Sequence, residues 1–327
     1  MRNCAAFALV GMSGALLGCG GVIRHQAAGT TAEILAAAQP ALQMESDYEL
    51  AARAIPGALK TIEGFYVADE QPALRAILTE GYCQYATAFV EDEWEVAKFA
   101  RKQDEVQYDN ERASKMFTRC MNYALMDLPE GTEKDLFATP ELATKRINSI
   151  GGGQRTALMW AGIGLGGMLN HNLTRVEMLS LIPVVTAIIN RVVAIDTAQR
   201  GQIDGTKGAP CDSGCTVRLA LPHIALGMIN SAASAQFGGK ADVARAEFET
   251  ALRITADAQH PDGKMLLART LLAYRVGIQT NDRKLFHDNL VKVLETDPAI
   301  WPEQRLANEV AQRRARRYLS HEKDLFQ

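Results

Sequence analysis

The sequence predicts an all-α fold, an array of antiparallel helical hairpins. Apolar residues recur at helical spacing, as where Tyr82, Tyr85, Ala86 and Phe89 stand at i, i+3, i+4 and i+7. Clusters of Gly, Pro and Asp interrupt this pattern about every 15–20 residues, and short turns between helices of that length make neighbouring helices antiparallel. No run of strictly alternating polar and apolar residues is bounded by hairpin turns, so the sequence predicts no strand.

The first element is a secretory signal. Residues 1–3 form a short basic start, residues 4–17 form an apolar run too short for a mature membrane span, and Leu16-Leu17-Gly18-Cys19 closes it. This ending resembles the lipobox of bacterial lipoproteins, which implies a signal peptide of residues 1–18 and a diacylglycerol on Cys19. Gly20 stands where an aspartate would retain the protein at the inner membrane, which favours the outer membrane. The alternative is a plain secreted protein that is cleaved elsewhere.

A location in the periplasm narrows the function. The periplasm holds no pool of ATP or reduced nicotinamide, which argues against kinases and ordinary dehydrogenases. The formal net charge of −3 suggests neither nucleic acid nor an anionic membrane surface as a partner. We predict no cofactor.

The periplasm is also oxidising, so the remaining cysteines are expected to pair. Cys211 and Cys215 flank the turn residues Asp-Ser-Gly, and we predict a local disulfide between them. Zinc is the alternative, with His223 as a third ligand, although no fourth ligand stands at finger spacing. Cys83 and Cys120 either pair with each other or are small buried hydrophobic residues.

Two regions follow the signal. Residues 19–45 are predicted as the lipidated cysteine and its tether, because residues 21–43 are rich in Ala, Thr, Gly and Gln. Residues 46–327 are predicted as a single helical-repeat domain. Within it, Leu158–Leu169 and Met178–Ile189 are strongly apolar and too short to cross a bilayer, so they predict central core helices.

One spacing in this domain is typical of a known repeat. Ala244, Phe248 and Ala251 have the Ala-x3-Phe-x2-Ala spacing of the second helix of a tetratricopeptide repeat. The segment Ala113–Cys120 reproduces it, with Cys in the last position. Small residues let two helix backbones approach while the Phe fills the groove between them. The array is therefore predicted to consist of degenerate tetratricopeptide-like repeats.

Other short motifs are better explained by structure than by chemistry. Gly162-x-Gly164-x-x-Gly167 matches the dinucleotide pattern but lacks a preceding β-branched strand and a later acidic residue, so close helix packing explains it better. The acids at positions 91–93 fit dipole compensation at a helix start, and the basic run at 313–317 fits a solvated face of a terminal helix. The histidines show no paired ligand spacing. We predict no metal site and no catalytic residue.

Several blocks of the sequence resemble, in order, those of one protein family. They are Arg53–Gly64, Gly81–Asp92, Trp160–Asn170, Leu181–Pro183, Arg191–Asp196, Arg305–Arg316 and Asp324–Phe326. The family is TatT, the lipoprotein T component associated with tripartite ATP-independent periplasmic (TRAP) transporters. The chain departs from it between Gly208 and Pro222, where the Cys211–Cys215 loop stands.

The resemblance implies a non-catalytic lipoprotein that forms homo-oligomers, encloses a pore or apolar cavity and docks the substrate-binding P component. Its role would be to help present a small organic-acid or apolar ligand to a secondary transporter. The alternative is a structural helical-repeat adaptor of the cell envelope that binds proteins only. A hydrolase would need a nucleophile–base pair, and the sequence offers no such pair.

Candidate contact residues fall into two groups. Tyr82, Tyr85, Phe89 and Trp160 fit either a core or the lining of a cavity for an apolar ligand. Asn170 fits either a helix cap or a ligand contact.

The second group is charged. Lys60 and Glu63 fit an exposed i, i+3 pair worth about a few tenths of a kcal/mol, or a polar cluster at a pore or partner surface. Arg53, on the same predicted helix as Pro56, has the same two interpretations.

Overall fold

The computed structural model describes residues 16–173, 175–199, 211–232 and 239–326, with the backbone alone for residues 16–23 and 176. All regular structure in these ranges is helical, and they contain no strand. The predicted all-α class is confirmed. Most of the predicted signal peptide and the side chain of Cys19 lie outside the described residues.

Helices follow one another along the whole described chain. They are α1 (Leu16–Gln43), α2 (Tyr48–Ala68), α3 (Pro72–Tyr85), α4 (Glu91–Phe99), α5 (Gln103–Leu125), α6 (Thr132–Leu136), α7 (Pro140–Ser149), α8 (Arg155–Asn170), α9 (Val176–Leu179), α10 (Ile182–Ala198), α11 (Ser213–Asn230), α12 (Ala241–Ile254), α13 (Leu266–Leu271), α14 (Gly277–Thr280), α15 (Arg283–Glu295), α16 (Arg305–Ser320) and α17 (Glu322–Leu325). Two π-helical turns, Ala86–Val90 and Leu272–Val276, join α3 to α4 and α13 to α14.

Capping side chains explain several helix starts. Asp47, Asp212 and Asp282 each accept a hydrogen bond from a backbone N–H three residues later, at the starts of α2, α11 and α15. Thr139 caps α7 in the same way, ahead of Pro140 in its first turn. These are short polar residues placed where a helix leaves N–H groups without a partner.

Helix α1 occupies most of the segment predicted as a tether. Its Ala32 side chain is buried, and the Nδ1 atom of His25 lies 3.0 Å from Asp69 at the end of α2. The segment is therefore helical as far as Gln43, and part of it packs on the rest of the domain.

Helix α8 packs closely on α5 and α10 because it carries glycines at the contacts. A Cβ atom on Gly164 would lie 2.9 Å from the carbonyl oxygen of Phe117 and 2.8 Å from the backbone nitrogen of Met121. A Cβ atom on Gly162 would lie 2.7 Å from the side chain of Ile188 in α10. The glycine motif is thus a packing motif, as predicted.

The second apolar stretch is longer than the sequence suggested. Glu177–Ala198 is a helical stretch of 22 residues with a mean hydropathy of 2.0, and among the described residues it is the one long and apolar enough to cross a membrane. The expectation that this stretch is too short was therefore wrong. Its apolar side chains have a core role in the fold, since Val185, Ile188, Ile189 and Val192 are buried.

The repeat-like spacing falls on buried positions. Ala244, Phe248 and Ala251 are fully buried in α12, and the Phe248 ring lies where a Cβ atom on Gly227 of α11 would meet it at 2.7 Å. Small residues therefore bring α11 and α12 together around a phenylalanine, as the spacing predicts.

Disulfides join the cysteines in two pairs. Cys83 is bonded to Cys120, which links α3 to α5. Cys211 is bonded to Cys215 at the start of α11. The first pair decides a question that the sequence left open.

Candidate functional site

An apolar cavity of about 420 Å³ lies among the helices. Side chains of α2, α3, α8, α10, α11, α13 and α16 form its walls. This volume is in the range of sites for small organic molecules. Most of the wall is aliphatic, with Ile55, Ile62, Leu221, Met228, Leu271 and Val310 as examples.

Four of the sequence-predicted residues line this cavity, namely Tyr85, Phe89, Trp160 and Asn170. The three rings are almost entirely buried, so each belongs to the core and also has an edge on the cavity. Tyr82 is buried outside the lining and stacks on Tyr123.

The charged candidates of α2, namely Arg53, Lys60 and Glu63, do not line the cavity. The Glu63 carboxylate is buried, pairs with Lys60, and accepts hydrogen bonds from Arg119 Nη1 at 2.7 Å and the Tyr123 hydroxyl at 2.9 Å. Burial alone would raise the pKa of Glu63, but these donors outweigh burial and hold it below its ordinary value. Arg53 and Lys60 are exposed, so Glu63 links α2 to α5 while the two cations face solvent.

A dense cluster of charge lies where α4 meets α16. We define the charged seam as three acids of α4 and three arginines of α16, namely Glu91, Asp92, Glu95, Arg313, Arg314 and Arg317. The Asp92 side chain is 1% exposed and that of Arg314 is 3% exposed, so the seam includes fully buried charges. Such charges are tolerated only where they are paired.

Short contacts hold most of the seam together. Asp92 accepts a hydrogen bond from Arg313 Nε at 2.7 Å and lies 2.7 Å from Arg317 Nη1. Glu95 accepts hydrogen bonds from Arg317 and from the Tyr318 hydroxyl, the latter at 2.8 Å. Burial alone would raise the pKa of Asp92, but the charges of the arginines outweigh burial and hold it below its ordinary value.

The seam touches the cavity at one place, where Thr87, Glu91 and Arg314 are in the lining. We call these three residues the charged corner. An Arg314 N–H donates to the carbonyl oxygen of Thr87, which belongs to the first π-helical turn. Glu91 Oε1 lies 3.1 Å from Nε2 of the buried His171. Turns of the π type are frequent at functional sites.

The Glu91 carboxylate is ionised in this setting. Burial alone would raise the pKa of Glu91, but the hydrogen bond to His171 and the charge of Arg314 outweigh burial and lower it. The corner therefore combines a carboxylate and a guanidinium at the edge of an otherwise apolar space.

The sequence interpretation missed this seam. It assigned the acids to dipole compensation and the basic run to a solvated face, whereas the structure buries Asp92 and Arg314 and leaves Glu93, Arg313 and Arg316 exposed. One signal in the sequence could have pointed to it. The acids and the arginines share the spacing i, i+1, i+4, which places each set on one side of its helix.

The zinc alternative finds no support in the part of the chain that the structure describes. No group of three or more His, Cys, Asp or Glu side chains there is arranged to hold a metal ion. Cys211 and Cys215 are joined to each other, and His223 Nδ1 lies 2.6 Å from Glu247.

Comparison with known proteins assigns the chain to a protein family. The chain matches the TRAP transporter T-component family over residues 44–205 and 219–326. It is also 27% identical over 298 residues to an uncharacterized protein of Treponema pallidum (strain Nichols), an alignment that covers 86% of this chain and 81% of that protein. The interval that the family match omits overlaps the stretch from Gly208 to Pro222, where the sequence departs from the family pattern. The resemblance seen in the sequence is confirmed, and the chain belongs to the TRAP transporter T-component family, whose members are components of a transport system of the cell envelope.

Proposed function

We propose that this protein is a non-catalytic accessory lipoprotein of a TRAP-type transporter that holds a small organic or apolar ligand and docks the substrate-binding P component. The family match supports the transporter role. The apolar cavity is the observation that carries the ligand role. Binding to such walls is driven by removal of apolar surface from water and is non-directional.

The proposal includes a tetratricopeptide-like arrangement of helical hairpins. Its support is the buried Ala-x3-Phe-x2-Ala pattern of α12 and the close approach of α11 and α12 around Phe248. Arrays of this kind commonly present one face to a protein partner.

The proposed location is the periplasmic side of the outer membrane, with Cys19 as the lipid anchor. Cys19 lies in the first turn of helix α1, and Gln39, Leu42 and Gln43 at the other end of this helix line the cavity. The anchoring helix therefore contributes to the wall of the ligand site.

We assign the outer face of α2 to the partner. Leu50, Arg53, Gly57, Lys60 and Val67 stand at i, i+3, i+7, i+10 and i+17, and all of them are exposed. A Cβ atom on Gly57 would meet nothing within 4 Å. This face combines exposed apolar side chains, cations and bare backbone, a combination that suits close approach by the P component or by a second copy of the chain.

The first test is affinity purification of the tagged, full-length protein from gently solubilised envelopes, followed by mass spectrometry. We expect a TRAP-type solute-binding protein in stoichiometric amount. Gly64 is exposed and stands at i+14 on the same face, and Gly64→Phe should reduce recovery of the solute-binding protein about tenfold or more, since a bulky residue at an interface centre blocks docking. Because a Cβ atom on Gly64 also meets nothing within 4 Å, the fold should tolerate this change.

Lys284→Phe, at an exposed position of α15, is the matched control and should leave recovery unchanged. Cys19→Ala should move the protein from the membrane to the soluble fraction. Recovery of the protein's own copies alone, or of envelope assembly proteins alone, would contradict the transport role and favour the structural adaptor.

A further inference from the structure

Arg314 lines the cavity, but a purely apolar ligand would offer its guanidinium no hydrogen-bond acceptor. It lines the cavity with its guanidinium almost fully buried. A buried charge costs free energy unless ionic and hydrogen-bonding partners surround it. Arg314 donates to the Thr87 carbonyl, but its Nε atom is buried and makes no hydrogen bond to any residue that the structure describes.

The nearby carboxylates do not fill this position, because each has a closer partner. Glu91 lies 3.8 Å from Arg314 but 3.1 Å from His171. Glu95 lies 3.9 Å from Arg314 Nε and 2.8 Å from the Tyr318 hydroxyl. The third acid of the seam, Asp92, is paired at 2.7 Å with the other two arginines of the seam. Arg314 is thus the seam's cation without a carboxylate at hydrogen-bond distance.

We infer that Arg314 binds the anionic head of the ligand, and that the ligand class is a carboxylic acid with an apolar chain. This inference rests on the proposed function of the cavity. A guanidinium presents N–H groups in a fork that matches the two oxygens of a carboxylate. An apolar chain that displaces water from the cavity on binding would strengthen the attraction between the two charges.

The wall beside Arg314 suits the remainder of such a molecule. Leu306, Ala307 and Val310 line the cavity on the same helix, ahead of Arg314. The rise of an α-helix places Leu306 about 12 Å from Arg314 along the axis, which leaves room for an extended apolar chain. The carboxylate would lie at the charged corner, and the chain would run toward the start of α16.

Glu91 tests the electrostatic part of the inference. Its carboxylate also lines the cavity, so its negative charge opposes a second anion bound at Arg314. Neutralising Glu91 should therefore strengthen binding of an acid and leave binding of an uncharged analogue unchanged. An interaction of this sign is specific to an anionic ligand.

The experiment compares decanoate with decanol, which share an apolar chain and differ in charge. Each is titrated against the full-length protein loaded with the neutral dye Nile red, and displacement gives an apparent Kd. Wild type should bind decanoate about tenfold or more tightly than decanol, as expected for a charge-assisted hydrogen bond in a dry site.

Variants then locate the preference. Arg314→Met should remove the preference for decanoate over decanol by weakening the binding of decanoate alone, and Glu91→Gln should increase this preference. Arg316→Met, exposed on the same helix and outside the lining, is the matched control and should bind both compounds as wild type does. Circular dichroism identifies any variant that fails to fold. In that case the wild-type preference and the Glu91→Gln result still decide the question.

Equal displacement by decanol and decanoate in wild type would overturn the carboxylate inference and leave the apolar cavity function intact. A preference for decanoate that survives Arg314→Met would overturn the role of Arg314. If neither the dye nor either compound binds, the proposed ligand function fails, and the inference fails with it.

Discussion

The walls of the cavity and the charged seam meet at Arg314, but different forces stabilise them. On the α8 side, glycines and aliphatic side chains set how closely helices approach, and the contacts have little directional preference. In the seam, hydrogen bonds and ion pairs join residues more than 220 positions apart, such as Asp92 and Arg313 at a sequence separation of 221. The apolar side thus provides space, and the seam joins α4 to α16 by directional contacts.

The largest expected effect comes from breaking the seam. Glu95→Ala removes the acceptor of Arg317 and Tyr318 and leaves buried polar groups without partners. We expect the free energy of unfolding to fall by about 3–5 kcal/mol, the usual cost of removing one partner of a buried pair. Urea denaturation followed by circular dichroism measures this difference.

Glu105→Ala is the matched control, because Glu105 pairs with Lys102 and both side chains are more than half exposed. It should change the free energy of unfolding by less than about 1 kcal/mol. Equal costs for Glu95→Ala and Glu105→Ala would mean that the seam contributes no more than a surface pair and does not fix the register of α4 and α16.

Adding a methyl group should destabilise the protein at Gly164, which packs against α5, and not at Gly57, which is open to solvent. Gly164→Ala forces a methyl group against the backbone of α5, where neither neighbouring atom is the end of a flexible side chain. We expect it to lower the free energy of unfolding by about 1–3 kcal/mol, the usual cost of overpacking a core.

Gly57→Ala, at an open position on the outer face of α2, provides the contrast. It should raise the free energy of unfolding by about 0.5–1 kcal/mol, because alanine favours the helix. Thermal unfolding of both variants gives the two signs, and a Gly164→Ala protein as stable as wild type would show that α8 and α5 can separate without cost.

The two regions also differ in how far the sequence predicts them. Helical spacing, turn residues and the Ala-x3-Phe-x2-Ala pattern are local signals, and they predicted the all-α class and the buried position of Phe248. The rings of Phe89 and Trp160 were predicted to line a cavity or fill a core, and in the structure they do both. Local patterns of this kind suffice because apolar burial depends mainly on periodicity.

The seam could not be assigned from local signals. An acid near a helix start and an arginine near a helix end satisfy the helix dipole whether they are buried or exposed. Only the tertiary packing of α4 on α16 decides between these states. The π-helical turns that precede α4 and α14 likewise depend on the contacts of the folded chain, so no residue pattern marked them.

The smallest expected effect is a change of the seam's stability with pH, and its sign follows from Asp92. The pKa of Asp92 is lowered in the folded protein: burial opposes this shift, and the arginine charges outweigh burial. A carboxyl group with a lowered folded-state pKa stabilises the folded protein at pH values above its unfolded-state pKa of about 3.9. This stabilisation is lost as the pH falls through the folded-state pKa.

The difference in free energy of unfolding between wild type and Asp92→Asn should therefore stay constant from neutral pH down to about 5 and narrow below about 4. Urea titrations of both proteins across this range measure it. A difference that persists unchanged in acid would show that Asp92 stabilises the seam by hydrogen-bond geometry alone, whereas narrowing would show that its charge maintains the contact between α4 and α16.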